Sequence, residues 1–210
     1  MDFFHPYLQV RYFMNETSPP LKKFYPDIPR GIHDQIIRSF MLNENKTTYS
    51  HKIKGRWENR YLETHYVPEV RVIFQIAESL ANDWTGQSVV VPHMGLGLPM
   101  DEFWFNVTKP GESTAWHDHK ENAVISGVYY LQIPKDSGDI RFRKKEKKEW
   151  VEWEEKSGTG KMILFDSSLE HRVKENKSLK NRLSLAFNLY ELPLEITHIS
   201  DDYSHSKFYG

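Results

Sequence analysis

The chain contains no cysteine. Disulfides, thiolate metal sites and thiol nucleophiles are thereby excluded, and with them cysteine-ligated zinc fingers and cysteine hydrolases. Charge of neither sign dominates: 28 Lys and Arg stand against 29 Asp and Glu, for a formal net charge of −1. The global field therefore gives no pull toward nucleic acid or an acidic membrane. No apolar run approaches the roughly 20 residues of a membrane span. The N-terminus, MDFFHPYLQVRYF, has no basic region ahead of an apolar one, so a signal peptide is not expected. From these absences we expect a cytoplasmic protein with neither membrane nor nucleic acid as a partner.

At 210 residues the chain has the size of one generous domain, or one domain with an extension. Pro6, Pro19, Pro20, Pro26 and Pro29 forbid a long helix at the start. A short strand at Tyr7 to Phe13 and an irregular connection are expected there. Helical spacing of apolar residues predicts a helix over Ile32 to Leu42 and another over Pro68 to Trp84. Asn43 to Arg60 reads as polar loop. After Trp84 come only short apolar runs separated by turn residues: Val89 to Val91, Phe103 to Thr108, Ala123 to Ile133, Asp139 to Phe142, Trp150 to Trp153, Lys161 to Phe165 and Leu183 to Tyr190. That cadence means a β-sandwich or barrel. The basic run Arg141 to Lys148 is followed at once by Glu149, Glu152, Glu154 and Glu155 and reads as a solvated hairpin. Gly158-Thr159-Gly160-Lys161 lacks the remaining residues of a phosphate loop and reads as a turn.

The stretch with chemical content is Trp116-His117-Asp118-His119. In an extended strand, side chains alternate, so His117 and His119 face one way and Asp118 the other. One strand can thus offer two ligands to one metal, and imidazole suits iron, zinc, copper or nickel. A later strand or its loop carries His171, which a sandwich can return to the pair. Beyond it, Arg182 and Ser184 share a strand face. A guanidinium fork beside a hydroxyl is a receptor for a carboxylate, while the plainer reading of Arg182 is a salt bridge to one of many acids.

Several ordered motifs join these residues. Trp104-Phe105-Asn106, Pro110-Gly111, His117-Asp118-His119, Ser126-Gly127-Val128-Tyr129-Tyr130-Leu131, Gly160 to Phe165, His171-Arg172-Val173 and Arg182 to Asn188 resemble the iron(II)- and 2-oxoglutarate-dependent oxygenases. The similarity is to a branch related to the prolyl-4-hydroxylases and runs from about residue 100 to 192. The resemblance implies a mainly β fold with N-terminal helices: a double-stranded β-helix, or cupin-like jelly roll, over residues 85 to 195. It would carry an N-terminal extension with supporting helices over 1 to 84 and a tail over 196 to 210. It also implies Fe(II) held by His117 and His171, 2-oxoglutarate as cosubstrate with its distal carboxylate on Arg182 and Ser184, and O2 as oxidant. Tyr130 would add a hydroxyl to that carboxylate, and Asn106 is a further cosubstrate contact.

The family's usual carboxylate ligand stands two residues after the first histidine, where this chain has His119. Three ligand sets compete: His117, His119 and His171; a frame shifted by two, with His119 and Glu121; or His117 with Asp118 on a distorted strand. The first is preferred. A neutral imidazole in place of a carboxylate raises the positive charge at the metal and should alter its potential. Trp104, Trp116 and Tyr129 are candidates to wall the pocket, and the hairpin at about 141 to 155 is a candidate lid. The expected reaction is oxidative decarboxylation of 2-oxoglutarate coupled to C–H hydroxylation of a protein side chain, prolyl first, or of a small molecule. A homodimer is a further partner expectation. The alternatives are a cupin-like three-histidine enzyme without 2-oxoglutarate, and a jelly-roll binding or structural module without catalysis.

Overall fold

Alternation along one strand decides the architecture. In Arg182–Glu191 the odd positions Leu183, Leu185, Phe187 and Leu189 join a core shared with two helices, whereas Arg182, Ser184, Ala186 and Asn188 fall on the other face. Neighbouring strands repeat the division, with Phe103, Phe105, Tyr129, Leu131, Met162 and Leu164 on the helix side. Val128, Tyr130, Ile163 and Phe165 belong to a second, inner core. A sheet buried on both faces in this way forms the middle layer of the molecule.

The computed structural model describes residues 20–49, 52–53, 56–57, 59–98, 100–119 and 123–194. The strand expected at Tyr7 to Phe13 and the tail over 196 to 210 lie outside them. The helices are α1 (Ile32–Leu42) and α2 (Val70–Thr85), and the strands are β1 (Leu21–Phe24), β2 (Thr48–Tyr49), β3 (Lys52–Ile53), β4 (Arg56–Trp57), β5 (Arg60–Tyr61), β6 (Val89–Val90), β7 (Phe103–Thr108), β8 (Ile125–Gln132), β9 (Ile140–Glu146), β10 (Glu149–Glu155), β11 (Met162–Asp166), β12 (Glu170–Val173) and β13 (Arg182–Glu191). The large sheet has the order β1-β11-β8-β13-β7-β5-β2, with β6 also on β13. A smaller sheet, β10-β9-β12, faces it, and β3 pairs with β4. All pairings are antiparallel. This is the mainly β double-stranded β-helix that the sequence led us to expect.

Helix α2 forms because Val70, Ile73, Phe74, Ala77 and Ala81 recur on one face and are buried. It stops at Gly86, whose φ of 71° is left-handed and whose N–H reaches the Asn82 carbonyl at 2.8 Å. Helix α1 buries Ile36 and Phe40, and the Phe40 ring lies 4.4 Å from that of Phe105 on β7. Each such buried side chain contributes about 1.5–3 kcal/mol relative to exposure. Together the helices cover the outer face of the large sheet and leave its inner face for the site.

The structure departs from expectation in three places. Leu21–Phe24 is a strand paired with β11, not irregular connection, because the prolines flank the segment and leave its N–H groups free to pair. The segment read as loop over 43 to 60 carries short strands, and Arg60 pairs with Phe105, so residues from the N-terminal part extend the large sheet. The hairpin β9–β10 is longer than its apolar residues suggest. Its basic and acidic runs face each other in register, Arg143 opposite Glu152 and Arg141 opposite Glu154.

Candidate active site

Residues 114 to 119 run antiparallel to β12 and the turn before it. The N–H of Thr114 reaches the Val173 carbonyl at 3.0 Å, His117 and His171 bond each other's backbone, and the N–H of His119 reaches the Ser167 carbonyl at 2.8 Å. His117, His119 and His171 are thereby brought together, with one ligand atom from each lying within 4.8 Å of the others. Nitrogens about 2.1 Å from a common ion stand roughly 3–4 Å apart, a spacing this upper bound admits. Asp118 takes the opposite direction and lines an outer groove with Arg143 and Glu170, as strand alternation requires.

The geometry at the histidines leaves ring nitrogens that could hold a metal ion. Nδ1 of His117 lies 3.0 Å from the Ala115 carbonyl, and Nδ1 of His171 lies 3.0 Å from the Leu169 carbonyl. A carbonyl only accepts, so each Nδ1 carries the proton and each Nε2 keeps its lone pair for a metal. Burial pushes the pKa of His119 down to about 3, with help from the neighbouring His117. Burial also holds His171 well below the usual imidazole range, with His117 and His119 adding to the effect. Rings kept neutral are the form that binds metal. His119 is partly exposed as a residue, yet its Nδ1 is buried.

A cavity of about 260 Å³ opens beside these rings, and Asn106, Tyr130, Arg182 and Ser184 line it with all three histidines. Strand register places the four polar residues. Ser184 on β13 stands opposite Asn106 on β7 and opposite Tyr130 on β8, and Arg182 stands opposite Thr108. A one-residue slip between Leu183 and Ser184 on the β8 side sets the Tyr130 pairing. The Arg182 guanidinium is buried, 2% exposed, with its carbon 5.3 Å from the Tyr130 ring and a nitrogen donating to the Ser157 hydroxyl at 3.4 Å.

The Tyr130 hydroxyl is buried and makes no well-formed hydrogen bond within the protein. Burial raises its pKa, and the approach of Arg182 and Ser157 pulls the other way. A guanidinium, two hydroxyls and an amide on one wall suit a carboxylate, and three neutral imidazoles suit a divalent metal. The residues present therefore fit both a metal ion and a dicarboxylate beside it.

Some expectations change. Glu121 lies outside the described residues. Trp104 and Trp116 line the cavity, but Tyr129 does not: it points to the helix layer, where its hydroxyl meets Nδ1 of His33 at 2.8 Å. Adjacent strand residues face opposite ways, and Tyr130 holds the inner side. The hairpin expected as a lid is a wall of the small sheet, with Phe142 packed on Phe165 at 5.1 Å and on Trp153 at 5.9 Å. Ser126, which the sequence carries only as the first residue of the Ser126 to Leu131 motif, also lines the cavity, two and four residues before the inward Val128 and Tyr130.

This arrangement has counterparts among known proteins. Residues 102–188 match the family described as "Putative 2OG-Fe(II) oxygenase". A prolyl-4-hydroxylase from Pseudomonas putida is similar in structure, with 16% identity, a TM-score of 0.58, and 82% of this chain and 92% of that one covered. The epimerase SnoN in complex with Fe3+, alpha ketoglutarate and nogalamycin RO superposes with a TM-score of 0.63 at 10% identity, covering 87% of this chain and 85% of its own. A Trichoplax adhaerens prolyl hydroxylase in complex with a hypoxia inducible factor peptide has a TM-score of 0.59 at 10% identity, covering 82% and 84%. No curated protein matches the sequence.

Proposed function

We propose that the protein hydroxylates a C–H bond of a protein side chain, prolyl first, or of a small molecule, converting 2-oxoglutarate and O2 to succinate and CO2. The observation that carries the reading is the single cavity wall on which Arg182, Ser184, Tyr130 and Asn106 stand beside the histidine cluster. His117, His119 and His171 would hold Fe(II). When bound, the metal and 2-oxoglutarate supply the oxidising chemistry.

The chain's own residues bind and orient. Arg182 grips the distal carboxylate with its planar fork, and Ser184 and Tyr130 donate hydroxyl protons to it. Asn106, opposite Ser184, adds an amide. Strand backbones fix the wall, so the cosubstrate is held at one end of the cavity while the substrate enters beside Trp104. Trp104, Phe165 and Val128 keep this space apolar and limit water. A cytoplasmic location belongs to the same proposal. The prolyl guess draws support from the two prolyl hydroxylases of like fold, and the small-molecule reading from SnoN.

The iron-loaded protein is tested by incubation with 2-oxoglutarate and a proline-rich peptide, assaying succinate and peptide mass. Succinate that needs iron and O2, with one oxygen added to the peptide, supports the whole reading. Succinate with unmodified peptide removes the prolyl guess alone. Turnover that needs metal and O2 but not 2-oxoglutarate would favour the cupin-like alternative, which the histidine at position 119 makes the natural second reading.

A further inference from the structure

A row of buried polar side chains leads away from Ser126, which lines the cavity. Tyr190 and Asn188 on β13, Glu102 before β7, Ser126 on β8 and Ser167 after β11 are each under 9% exposed. The Tyr190 hydroxyl donates to Oε2 of Glu102 at 3.0 Å, and Nδ2 of Asn188 approaches the same oxygen at 3.5 Å. The Ser126 hydroxyl meets Oδ1 of Asn188 at 2.9 Å and the Ser167 hydroxyl at 3.1 Å.

Chemistry fixes the direction of this chain. A carboxylate only accepts, so the Asn188 amide must turn its NH2 to Glu102 and its oxygen to Ser126. Ser126 must then give its one proton to Asn188, and Ser167 must give its own to Ser126. Every hydroxyl rotor is specified by the acid at the end.

Ser167 opens the turn that joins β11 to β12, and that turn holds two of the three histidines. The Ser167 carbonyl accepts the N–H of His119 at 2.8 Å, and the Leu169 carbonyl faces Nδ1 of His171 at 3.0 Å. The turn is closed by the N–H of Leu169 on the Asp166 carbonyl at 2.9 Å and by Ser168 on the Asp166 carboxylate at 2.8 and 2.6 Å. Asp166 still belongs to the large sheet, paired with Ile125; beyond it the turn is tied to that sheet through the Ser167 side chain to Ser126 and through the Ser167 N–H to the Val124 carbonyl at 3.3 Å.

We propose that Ser167 is a positioning residue: anchored through Ser126 and Asn188 to Glu102, it clamps the turn 166–169 and so sets the placement of His119 and His171. The use of that placement for metal binding rests on the function proposed above. The clamp itself does not.

Amide hydrogen exchange on the metal-free full chain tests the clamp, and the visible spectrum of the Co(II)-loaded protein tests its effect on the ligands. In Ser126→Ala, and in the milder Ser167→Ala, the His119 amide should exchange about tenfold faster or more, while Leu185 and Leu189 on β13 keep their wild-type rates. The Co(II) spectrum should shift in both variants, and Ser126→Thr, which restores the hydroxyl, should return both readouts toward wild type. An unchanged His119 amide in Ser126→Ala and Ser167→Ala overturns the proposal. So does a rise at His119 matched by Leu185 and Leu189, which would mark a general loss of stability. If wild-type protein fails to take up Co(II), the metal reading falls and the exchange rates alone decide the clamp.

Discussion

His117 and His171 exchange both backbone hydrogen bonds, the N–H of His117 to the carbonyl of His171 at 3.0 Å and the reverse at 2.8 Å. Their rings lie 4.2 Å apart between centroids. Main chain, not side chain, brings these two together, so either ring can be removed without undoing the pairing. His117→Ala and His171→Ala should each keep the circular dichroism of the fold and lose metal affinity by roughly two orders of magnitude or more. Calorimetric titration with Fe(II) under anaerobic conditions gives the answer. His119→Ala should fall by a similar factor. Affinity unchanged in that variant would remove His119 from the ligand set, and with it both the three-histidine set and the frame of His119 and Glu121.

Arg182 should matter to the cosubstrate and not to the metal. Arg182→Gln keeps bulk and polarity but removes the charge, and loss of such a paired charge costs about 2–5 kcal/mol in binding. The Kd for 2-oxoglutarate should therefore rise by about thirtyfold or more, with Fe(II) affinity as in wild type. Tyr130→Phe, which removes one neutral hydroxyl, should raise it by about three- to tenfold.

Much of this geometry was legible in the sequence because it depends on strand alternation. The spacing of His117 and His119, and of Arg182 and Ser184, fixes their shared faces without any tertiary information. Less legible was whatever depends on pairing between distant segments. Strand β12 has four residues and no apolar alternation, so only its partner β9 reveals it. Ser167 and Glu102 look like ordinary turn and surface residues until Ser126 and Asn188 are placed between them. Tyr129 and Tyr130 are alike in type, and their opposite roles follow from register alone. The domain-flanking strand β1 was hidden by the prolines around it.

Gly127 is required by packing. A Cβ there would fall 2.2 Å from Cε2 of Phe187, the residue directly opposite it on β13. Gly127→Ala should destabilise the protein by about 1–3 kcal/mol, lowering Tm by several degrees in a scanning calorimeter. Phe187→Leu in the same chain should recover part of the loss, since the two changes share one contact. Equal additive losses would show that the clash is relieved elsewhere.

The helix layer carries a pH effect of its own. Burial raises the pKa of Glu78 above its ordinary 4.5, against the Val91 N–H that bonds it and lowers it, at 2.9 Å. A carboxyl that holds its proton more tightly when folded favours folding in acid, and that contribution is lost as pH climbs through the raised value. Glu78→Gln keeps an oxygen for Val91 and has no charge to desolvate. Its Tm should exceed that of wild type by about 1–3 °C near pH 8, with the gain vanishing below the ordinary carboxylate pKa. A gain that is the same at both pH values would assign the effect to something other than ionisation.

The central assignment, a three-histidine iron site with a carboxylate receptor beside it, is tested most directly by one anaerobic titration. Fe(II) is added to the purified chain, then 2-oxoglutarate, and the visible spectrum is followed for the weak charge-transfer band of chelated cosubstrate. The expected result is a band that grows with 2-oxoglutarate to one equivalent, is absent in His171→Ala, and needs far more cosubstrate in Arg182→Gln. Fe(II) binding without any band would contradict the receptor, and no Fe(II) binding would contradict the site itself.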